Sequence, residues 1–143
     1  MDRLGRMHSA EHILTAVMRR EYGSPRNLEM HLGGTKSKCD YAVPRTLTHN
    51  DIAAIEKAVN AEIDAGHPIT VQMLPFAEAR ERHDLWKVPE SATSIRIIKI
   101  GDFDATPCAG EHVSRTNEIG RFRVKSYDMK DKQIVRIRFT LQD

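Results

Sequence analysis

The sequence predicts an α+β fold in which a mainly antiparallel sheet packs against two longer helices in a two-layer architecture. Two long stretches, residues 7–22 and 48–65, place apolar side chains at the spacing of an amphipathic helix. Several shorter stretches alternate apolar and polar side chains, which is typical of strands in an antiparallel sheet. The chain has 143 residues and no internal repeat, so we expect a single domain over 1–143.

Composition and charge exclude several classes of protein. The 22 basic and 20 acidic residues leave a net charge of +2, which is too small to indicate nucleic-acid binding by itself. Cys39 and Cys108 are far apart, so we expect a reducing compartment and no disulfide framework. No stretch has the length of a signal-peptide core or a membrane span. We therefore expect a soluble cytoplasmic protein that does not enter a membrane, with a monomer favoured although the sequence leaves the oligomeric state open.

The first predicted helix, residues 7–22, carries two histidines at its start. Its apolar positions occur at helical spacing at Ile13, Leu14, Val17 and Met18. The tripeptide 23–25, Gly-Ser-Pro, ends the helix. His8 and His12 are four residues apart, which puts both imidazoles on one face. Taken alone, this pair is also consistent with ordinary polar positions at a helix start.

The middle of the chain predicts strands and helices in turn. A second helix begins at the capping residue Thr48 and ends at Gly66, and a short helix follows at 75–82. We predict strands at 28–32, 37–43, 69–74 and 94–101, the last of them central in its sheet. The first two strands are joined by a turn, Gly33-Gly34-Thr35-Lys36. These glycines either form a simple turn or let a ligand approach the backbone closely.

The end of the chain predicts a hairpin with a basic outer face. Residues 119–127 and 133–141 alternate in polarity and flank a turn at 128–132. The cations on the outer face are Arg121, Arg123, Lys125, Arg136 and Arg138. Like charges on paired strands repel one another by a few tenths of a kcal/mol per pair. We therefore expect acidic neighbours, a solvated face, or the phosphates of an anionic partner.

The loop after the predicted central strand supplies the second half of a candidate metal site. Cys108 and His112 are four residues apart, after Pro107, in a loop opened by Gly110. Together with the two histidines of the first helix, they form a mixed nitrogen and sulfur set that suits Zn²⁺ better than Mg²⁺ or Ca²⁺. Such a site is either closed and structural or open and catalytic.

A metalloprotease is disfavoured by the residues around the first histidine pair. That class needs a glutamate directly after its first histidine, where it can reach the metal-bound water. This chain has Ser9 at that position, and Glu11 precedes the second histidine instead.

Two motifs of the chain resemble the signature of a known family. The stretches His-Ser-Ala-Glu-His at 8–12 and Cys-Ala-Gly-Glu-His-Val-Ser-Arg-Thr-Asn-Glu-Ile-Gly-Arg-Phe at 108–122 are similar to the editing domain shared by alanyl- and threonyl-tRNA synthetases. They also resemble the free-standing AlaX-type alanyl-tRNA editing proteins. The runs 84–89 and 97–103 extend the resemblance over nearly the whole chain.

The resemblance implies a zinc-dependent editing domain that hydrolyses the ester between a wrong amino acid and the terminal ribose of tRNA. It implies serine on the tRNA for alanine as substrate, and glycine as a further candidate. Its metal ligands would be His8, His12, Cys108 and His112. Zinc would then either activate a water or hold the amino group of the substrate. We expect His8, His12 and Glu111 to be catalytic, with Glu11 as another candidate carboxylate.

The resemblance also places the substrate pocket and the RNA. The turn residues His31, Gly33, Gly34 and Thr35 would line the pocket for the aminoacyl group, and Thr35 or His31 would read the serine hydroxyl. The five outer cations of the hairpin would contact the acceptor end of tRNA. Two alternatives remain: editing of serine on the tRNA for threonine, and a zinc-stabilised RNA-binding module without catalysis.

Overall fold

A computed structural model of the chain describes residues 3–83, 85 and 93–143. Its helices are α1 (Arg3–Tyr22), α2 (His49–Asp64) and α3 (Phe76–Arg82), and a 3-10 turn spans Thr116–Glu118. Its strands are β1 (Asn27–Leu32), β2 (Ser37–Ala42), β3 (Ile69–Pro75), β4 (Ser94–Ile100), β5 (Asp104–Pro107), β6 (Arg121–Asp131) and β7 (Ile134–Gln142). Of the run 84–89 that contributes to the family resemblance, all but Leu85 lies outside the described residues.

The first sheet and the two long helices enclose the main core. The four strands pair antiparallel in the order β1-β2-β7-β6. Alternate residues of β2, β6 and β7 bury their side chains in one cluster with the apolar faces of α1 and α2. Tyr41, Phe122 and Phe139 are fully buried there. The predicted α+β class is confirmed, and the long helices are those that the sequence predicts.

The second sheet carries the chain to the cysteine loop. Its three strands pair antiparallel in the order β3-β4-β5, with β4 in the centre as predicted. Leu74, Ile95 and Ile97 pack with Ala79 of α3 in a separate small cluster. Neither the short strand β5 nor the division of the strands into two sheets is predicted from the sequence, because both depend on pairings between distant segments.

Helix α1 lies in the interior of the molecule. It begins at Arg3, four residues before the predicted start, and every residue from Ser9 to Met18 is buried. It contacts the first sheet, α2 and strand β5. The polar side chains of a helix that is buried on all sides need hydrogen-bond partners or an ion inside the protein. Ser9, Glu11 and His12 are buried polar residues of α1, and all three belong to the site described below.

The terminal hairpin differs from the prediction at its turn and at a bulge. Strand β6 runs on to Asp131 and β7 begins at Ile134, so the turn is shorter than the predicted 128–132. The register shifts between Val124 and Ser126, which leaves Lys125 without a directly paired residue on β7. At this bulge, the alternation of inward and outward side chains along β6, on which the predicted hairpin depends, is interrupted.

No helix in the described part of the chain combines the length and the apolar character that a membrane span requires.

Candidate metal centre and cavity

The four predicted ligands come together at one point. The Sγ atom of Cys108 lies 3.3 Å from Nε2 of His8 and 3.5 Å from Nε2 of His112. The ligand atoms of these three residues and of His12 all lie within 4.8 Å of one another. Tetrahedral zinc, with its usual bond lengths, would separate a sulfur and a nitrogen ligand by about 3.6 Å. The cluster therefore has the dimensions of a metal site.

The three imidazoles crowd around the thiol from two elements. The rings of His8 and His112 are stacked with centroids 4.4 Å apart, and the ring of His12 meets that of His112 edge-on at 4.4 Å. His8 and His12 are one turn apart on α1, whereas Cys108 and His112 belong to the loop after β5. Two segments about a hundred residues apart therefore have to dock before the cluster exists.

Arg96 of β4 holds the cysteine loop in place. Its Nη1 donates to the carbonyl oxygens of Cys108 and Gly110, at 2.9 and 2.8 Å, and the backbone amide of Cys108 donates to the carbonyl of Arg96 at 3.1 Å. Gly110 passes directly beside the imidazole of His8, where a Cβ atom would overlap the ring. The loop can approach α1 this closely only because position 110 has no side chain.

The hydroxyl of Ser9 links the two halves of the site. It donates to the carbonyl of Gly5 at 3.1 Å and accepts from the backbone amide of Val113 at 3.1 Å. It also lies 3.0 Å from Nδ1 of His112. Because its only proton goes to Gly5, the serine oxygen accepts from His112, whose Nδ1 carries the hydrogen. That tautomer leaves the lone pair of Nε2 facing the sulfur, as a metal ligand requires.

The surroundings favour the thiolate form of Cys108. Burial raises the pKa of the thiol, but hydrogen bonds with His112, His12 and His8 outweigh it and lower the pKa to about 3. Burial also lowers the pKa of His112. For His12, the hydrogen bond with Cys108 and the charge of Glu11 outweigh burial and raise its pKa. A deprotonated sulfur among imidazoles is the form that binds a metal.

The cluster fits a transition metal in its chemistry as well as its dimensions. One thiolate and three imidazoles form a donor set typical of zinc. In addition, Nδ1 of His12 is buried and has no hydrogen-bond partner among the described residues. A buried polar nitrogen of this kind is costly unless an ion or a water completes it.

A cavity of about 760 Å³ opens beside the cluster. One side of it is a single face of α1, formed by His8, Glu11, His12, Thr15 and Arg19. The opposite side comes from the second sheet and the cysteine loop. The volume is within the usual range for small-molecule sites.

Glu11 is the carboxylate that lines this cavity among the described residues. It is buried, and Thr15 donates a hydrogen bond of 2.6 Å to its Oε2 atom. The hydroxyl of Tyr41 lies 2.7 Å from that of Thr15 and therefore donates to it. Burial raises the pKa of Tyr41 well above its ordinary value, so this chain of donors stays protonated and fixes the carboxylate.

Several residues that the sequence assigns to the site lie elsewhere. The predicted substrate-binding residues His31, Gly33, Gly34 and Thr35 do not line the cavity. Their turn contacts the start of α1 instead, where Nε of Arg3 donates to the carbonyl of Gly34 at 3.0 Å. Glu111 is exposed and also lies outside the cavity lining. The geometry gives no support to the predicted roles of these five residues, which stay predictions.

The outer cations of the hairpin have acidic neighbours, which is one of the outcomes expected from the sequence. Four of them lie within 4.0 Å of a carboxylate: Arg121 with Asp64, Arg123 with Glu56, Arg136 with Asp40, and Arg138 with Asp128. Lys125 is exposed in the bulge. Their predicted contact with RNA stays a prediction.

Three features of the site were missed from the sequence. The spacing of positions 8, 11, 12, 15 and 19 on one helix face would have indicated Thr15 and Arg19 as cavity residues. Arg96 is a cation within the mostly apolar strand β4, and this would have indicated that its side chain has hydrogen-bond partners inside the protein. The role of Ser9 leaves no signal in the sequence, because it depends on docking of the loop.

The chain is similar to the second additional domain of threonyl and alanyl tRNA synthetases, whose family description matches residues 95–138. The alanyl-tRNA editing protein AlaX-L of Pyrococcus horikoshii is 36% identical over 141 residues, which cover 94% of this chain and 33% of that protein. The alanine–tRNA ligase of Treponema denticola is 28% identical over 137 residues, covering 94% of this chain and 23% of the ligase. The alanine–tRNA ligase of Idiomarina loihiensis is 31% identical over 127 residues, which cover 87% of this chain and 15% of the ligase.

The chain spans a third or less of the length of each of these relatives. The similarity nevertheless covers 94% of this chain in two of them, which includes the cysteine loop. Residues 95–138 of the chain thus match the second additional domain of threonyl and alanyl tRNA synthetases, and most of the chain is similar to a protein of alanyl-tRNA editing.

Proposed function

We propose that this chain hydrolyses the ester bond of mischarged tRNA, with serine on the tRNA for alanine as substrate and zinc as cofactor. The observation that carries the proposal is the cluster of one cysteine and three histidines beside a cavity of about 760 Å³. A cavity of this size suits an aminoacylated terminal nucleotide. The similarity to a protein named for alanyl-tRNA editing supports tRNA as the partner.

Zinc is the proposed ion because of its ligands. His8, His12, Cys108 and His112 would hold it, and together they satisfy its preference for nitrogen and sulfur in tetrahedral geometry. When bound, zinc supplies Lewis-acid chemistry for a reaction that develops negative charge on an ester oxygen. Because four protein donors fill a tetrahedral shell, this chemistry would require a fifth position or the release of one ligand, and we assign the movement of protons to the side chains of the cavity.

Glu11 is the proposed proton acceptor for the water that attacks the ester. It lines the cavity directly before the proposed ligand His12 in the sequence, and Thr15 fixes one of its oxygens. A general base has to lie within hydrogen-bond reach of the attacking water, and the position of Glu11 on the cavity wall supports this role. Glu111 is exposed and would need to move to take the same role.

The proposed selection of serine follows from the limited accuracy with which a synthetase can attach alanine to its tRNA. A pocket built for alanine excludes serine poorly, since an added hydroxyl changes the binding free energy by only about 1–3 kcal/mol. A second site can reject alanine steeply if it holds a polar group that stays unpaired without the hydroxyl. The variants Thr35→Val and His31→Val test whether either predicted residue supplies this group. An unchanged preference for serine over alanine in both would rule it out.

The function is tested by offering the purified protein serine-, glycine- and alanine-charged tRNA for alanine, and serine-charged tRNA for threonine. We expect zinc-dependent release of serine from the tRNA for alanine, loss of release with a chelator, and recovery on adding zinc. Cys108→Ala should abolish release, whereas the matched variant Cys39→Ala should keep most of it, because Cys39 lies outside the cavity lining and reaches Glu11 only through Tyr41 and Thr15.

Two results would contradict the proposed function. Preferential release from the tRNA for threonine would assign the chain to the other substrate. Zinc-dependent folding together with RNA binding, without release from any charged tRNA, would identify an RNA-binding module.

A further inference from the structure

The cavity is lined by arginines as well as by the candidate metal ligands. Arg19, Arg26, Arg82 and Arg96 contribute to its wall, whereas Glu11 is the carboxylate there among the described residues. Arg96 is occupied by the carbonyls of the cysteine loop. We propose that Arg19, Arg26 and Arg82 bind the phosphate on the 5′ side of the terminal nucleotide of an RNA. The inference rests on the proposed function and locates the RNA contact of that same site.

The position of Arg19 on α1 sets the distance from the metal centre. His12, Thr15 and Arg19 lie on one face of the helix, and all three line the cavity. A rise of 1.5 Å per residue places Arg19 about 10 Å along the axis from His12. An ester on the terminal ribose and the phosphate of the same nucleotide are separated by a single ribose. Arg19, one turn beyond Thr15, is therefore within reach of this phosphate when the ester lies at the metal centre.

Arg19 and Arg82 are held in place but keep donors for a ligand. Nη1 of Arg19 pairs with Asp104 at 3.0 Å, and its Nε donates to the carbonyl of Pro25 at 3.4 Å. Arg82 pairs with Glu78 one turn earlier at 3.0 Å, where both side chains are more than 40% exposed. A guanidinium has five N–H donors, so one carboxylate partner leaves others available. The exposed pair of Arg82 with Glu78 is weak and can exchange for a phosphate, whereas Arg19 keeps its buried partner Asp104 and offers its remaining donors.

The basic outer face of the hairpin is the competing location. Arg136 and Arg138 alternate along β7 with residues that face α1 and α2, so they lie on the opposite side of the sheet from the histidine pair. A terminal nucleotide whose ester lies at the metal centre cannot reach through the sheet. The outer face can contact more distant phosphates at most.

The test uses an uncharged acceptor-stem RNA hairpin ending in CCA and the zinc-loaded protein. One version of the RNA has a neutral methylphosphonate in place of the last phosphate. We expect this replacement to weaken binding by the wild type roughly tenfold, the size of a charge-assisted contact. Arg26→Ala and Arg82→Ala should each weaken binding of the normal RNA, and the double variant, which keeps only Arg19, should distinguish the two RNAs less than either single variant.

The matched controls are Arg123→Ala and Arg138→Ala on the hairpin face. They should keep the full preference for the normal last phosphate, even if they weaken binding overall. In the cavity variants, the slope of log affinity against log salt concentration should become shallower by about 0.7 for each single-strand phosphate that the protein no longer neutralises.

Two results would overturn the inference. One is a wild type that binds both RNAs equally. The other is a preference for the normal phosphate that the hairpin variants abolish and the cavity variants keep. The proposed function is tested separately, because uncharged RNA involves no ester hydrolysis: binding with the expected pattern but without deacylation would retain the phosphate site and remove the hydrolase.

Discussion

A single serine hydroxyl connects α1 to the loop that carries the other two candidate ligands. Ser9 is fully buried and bonds to Gly5, Val113 and His112 at once. It thereby fixes the tautomer and the orientation of the His112 ring. Partners of this kind raise metal affinity by ordering the ligand before the ion arrives.

Replacing Ser9 by alanine should weaken zinc binding by about 10- to 100-fold, the usual range for such partners. The affinity is measured by competition with a chromophoric chelator. Ser24→Ala is the matched control, since Ser24 is equally buried and donates to the carbonyl of Ala42 away from the site. Equal zinc affinity in Ser9→Ala and the wild type would show that the hydroxyl serves only stability.

Glu11→Gln should lower kcat of the proposed deacylation by about 100-fold or more, because glutamine keeps the size of the side chain but cannot accept a proton. Single-turnover hydrolysis of serine-charged tRNA measures the effect. Glu111→Gln should cause a smaller loss, because Glu111 is exposed outside the cavity lining. A larger loss in Glu111→Gln would favour the catalytic role predicted for Glu111 from the sequence.

At the scale of elements, the cysteine loop has its shape imposed by β4 and α1. Arg96 fixes two of its carbonyls, and Gly110 allows it to pass beside His8. The position of Cys108 and His112 in the candidate metal centre therefore depends on the position of the second sheet. The sequence motif alone specifies the ligands but not this support.

Gly110→Ala should reduce zinc affinity strongly, because the new methyl group would occupy the position of the His8 imidazole and displace it. Zinc titration measures the loss, and circular dichroism checks the fold. Gly34→Ala is the control, since a Cβ there meets nothing within 4 Å. Wild-type zinc affinity in Gly110→Ala would show that His8 is not a ligand in the arrangement described.

The elements were predictable where local patterns determine them. The capping box of Thr48 and Asp51 starts α2 at the predicted place, and apolar spacing identified α1. The predicted turn at 128–132 is wrong at its start, because β6 keeps pairing with β7 as far as Asp131 through a second register shift between Met129 and Asp131, which leaves no clear mark in the sequence. Strand β5 was missed because four residues carry too little periodicity.

At the scale of the whole molecule, the candidate ion joins segments that are far apart in the sequence. His8 and Cys108 are separated by 100 positions, and their side chains meet at 3.3 Å. Both motifs could be recognised in the sequence, and so could their pairing. The cavity could not, because its wall combines α1, the connection to β1, α3 and the second sheet. For this reason the predicted substrate residues of the β1–β2 turn lie outside it.

Zinc should stabilise the folded chain because the unfolded chain has no preformed site. At a free concentration of 100 times the dissociation constant, the free energy of unfolding should rise by about 2.7 kcal/mol. Urea denaturation with and without zinc measures this difference. Cys108→Ala should lose most of the increment, and an equal increment in that variant would show that zinc binds elsewhere.

X-ray absorption at the zinc edge, on protein loaded with one equivalent of zinc, tests the proposed coordination most directly. We expect one sulfur at about 2.3 Å and nitrogen ligands at about 2.0–2.1 Å, with the sulfur contribution absent in Cys108→Ala. A wild-type spectrum with nitrogen and oxygen ligands but no sulfur would contradict a centre built from Cys108 and the three histidines.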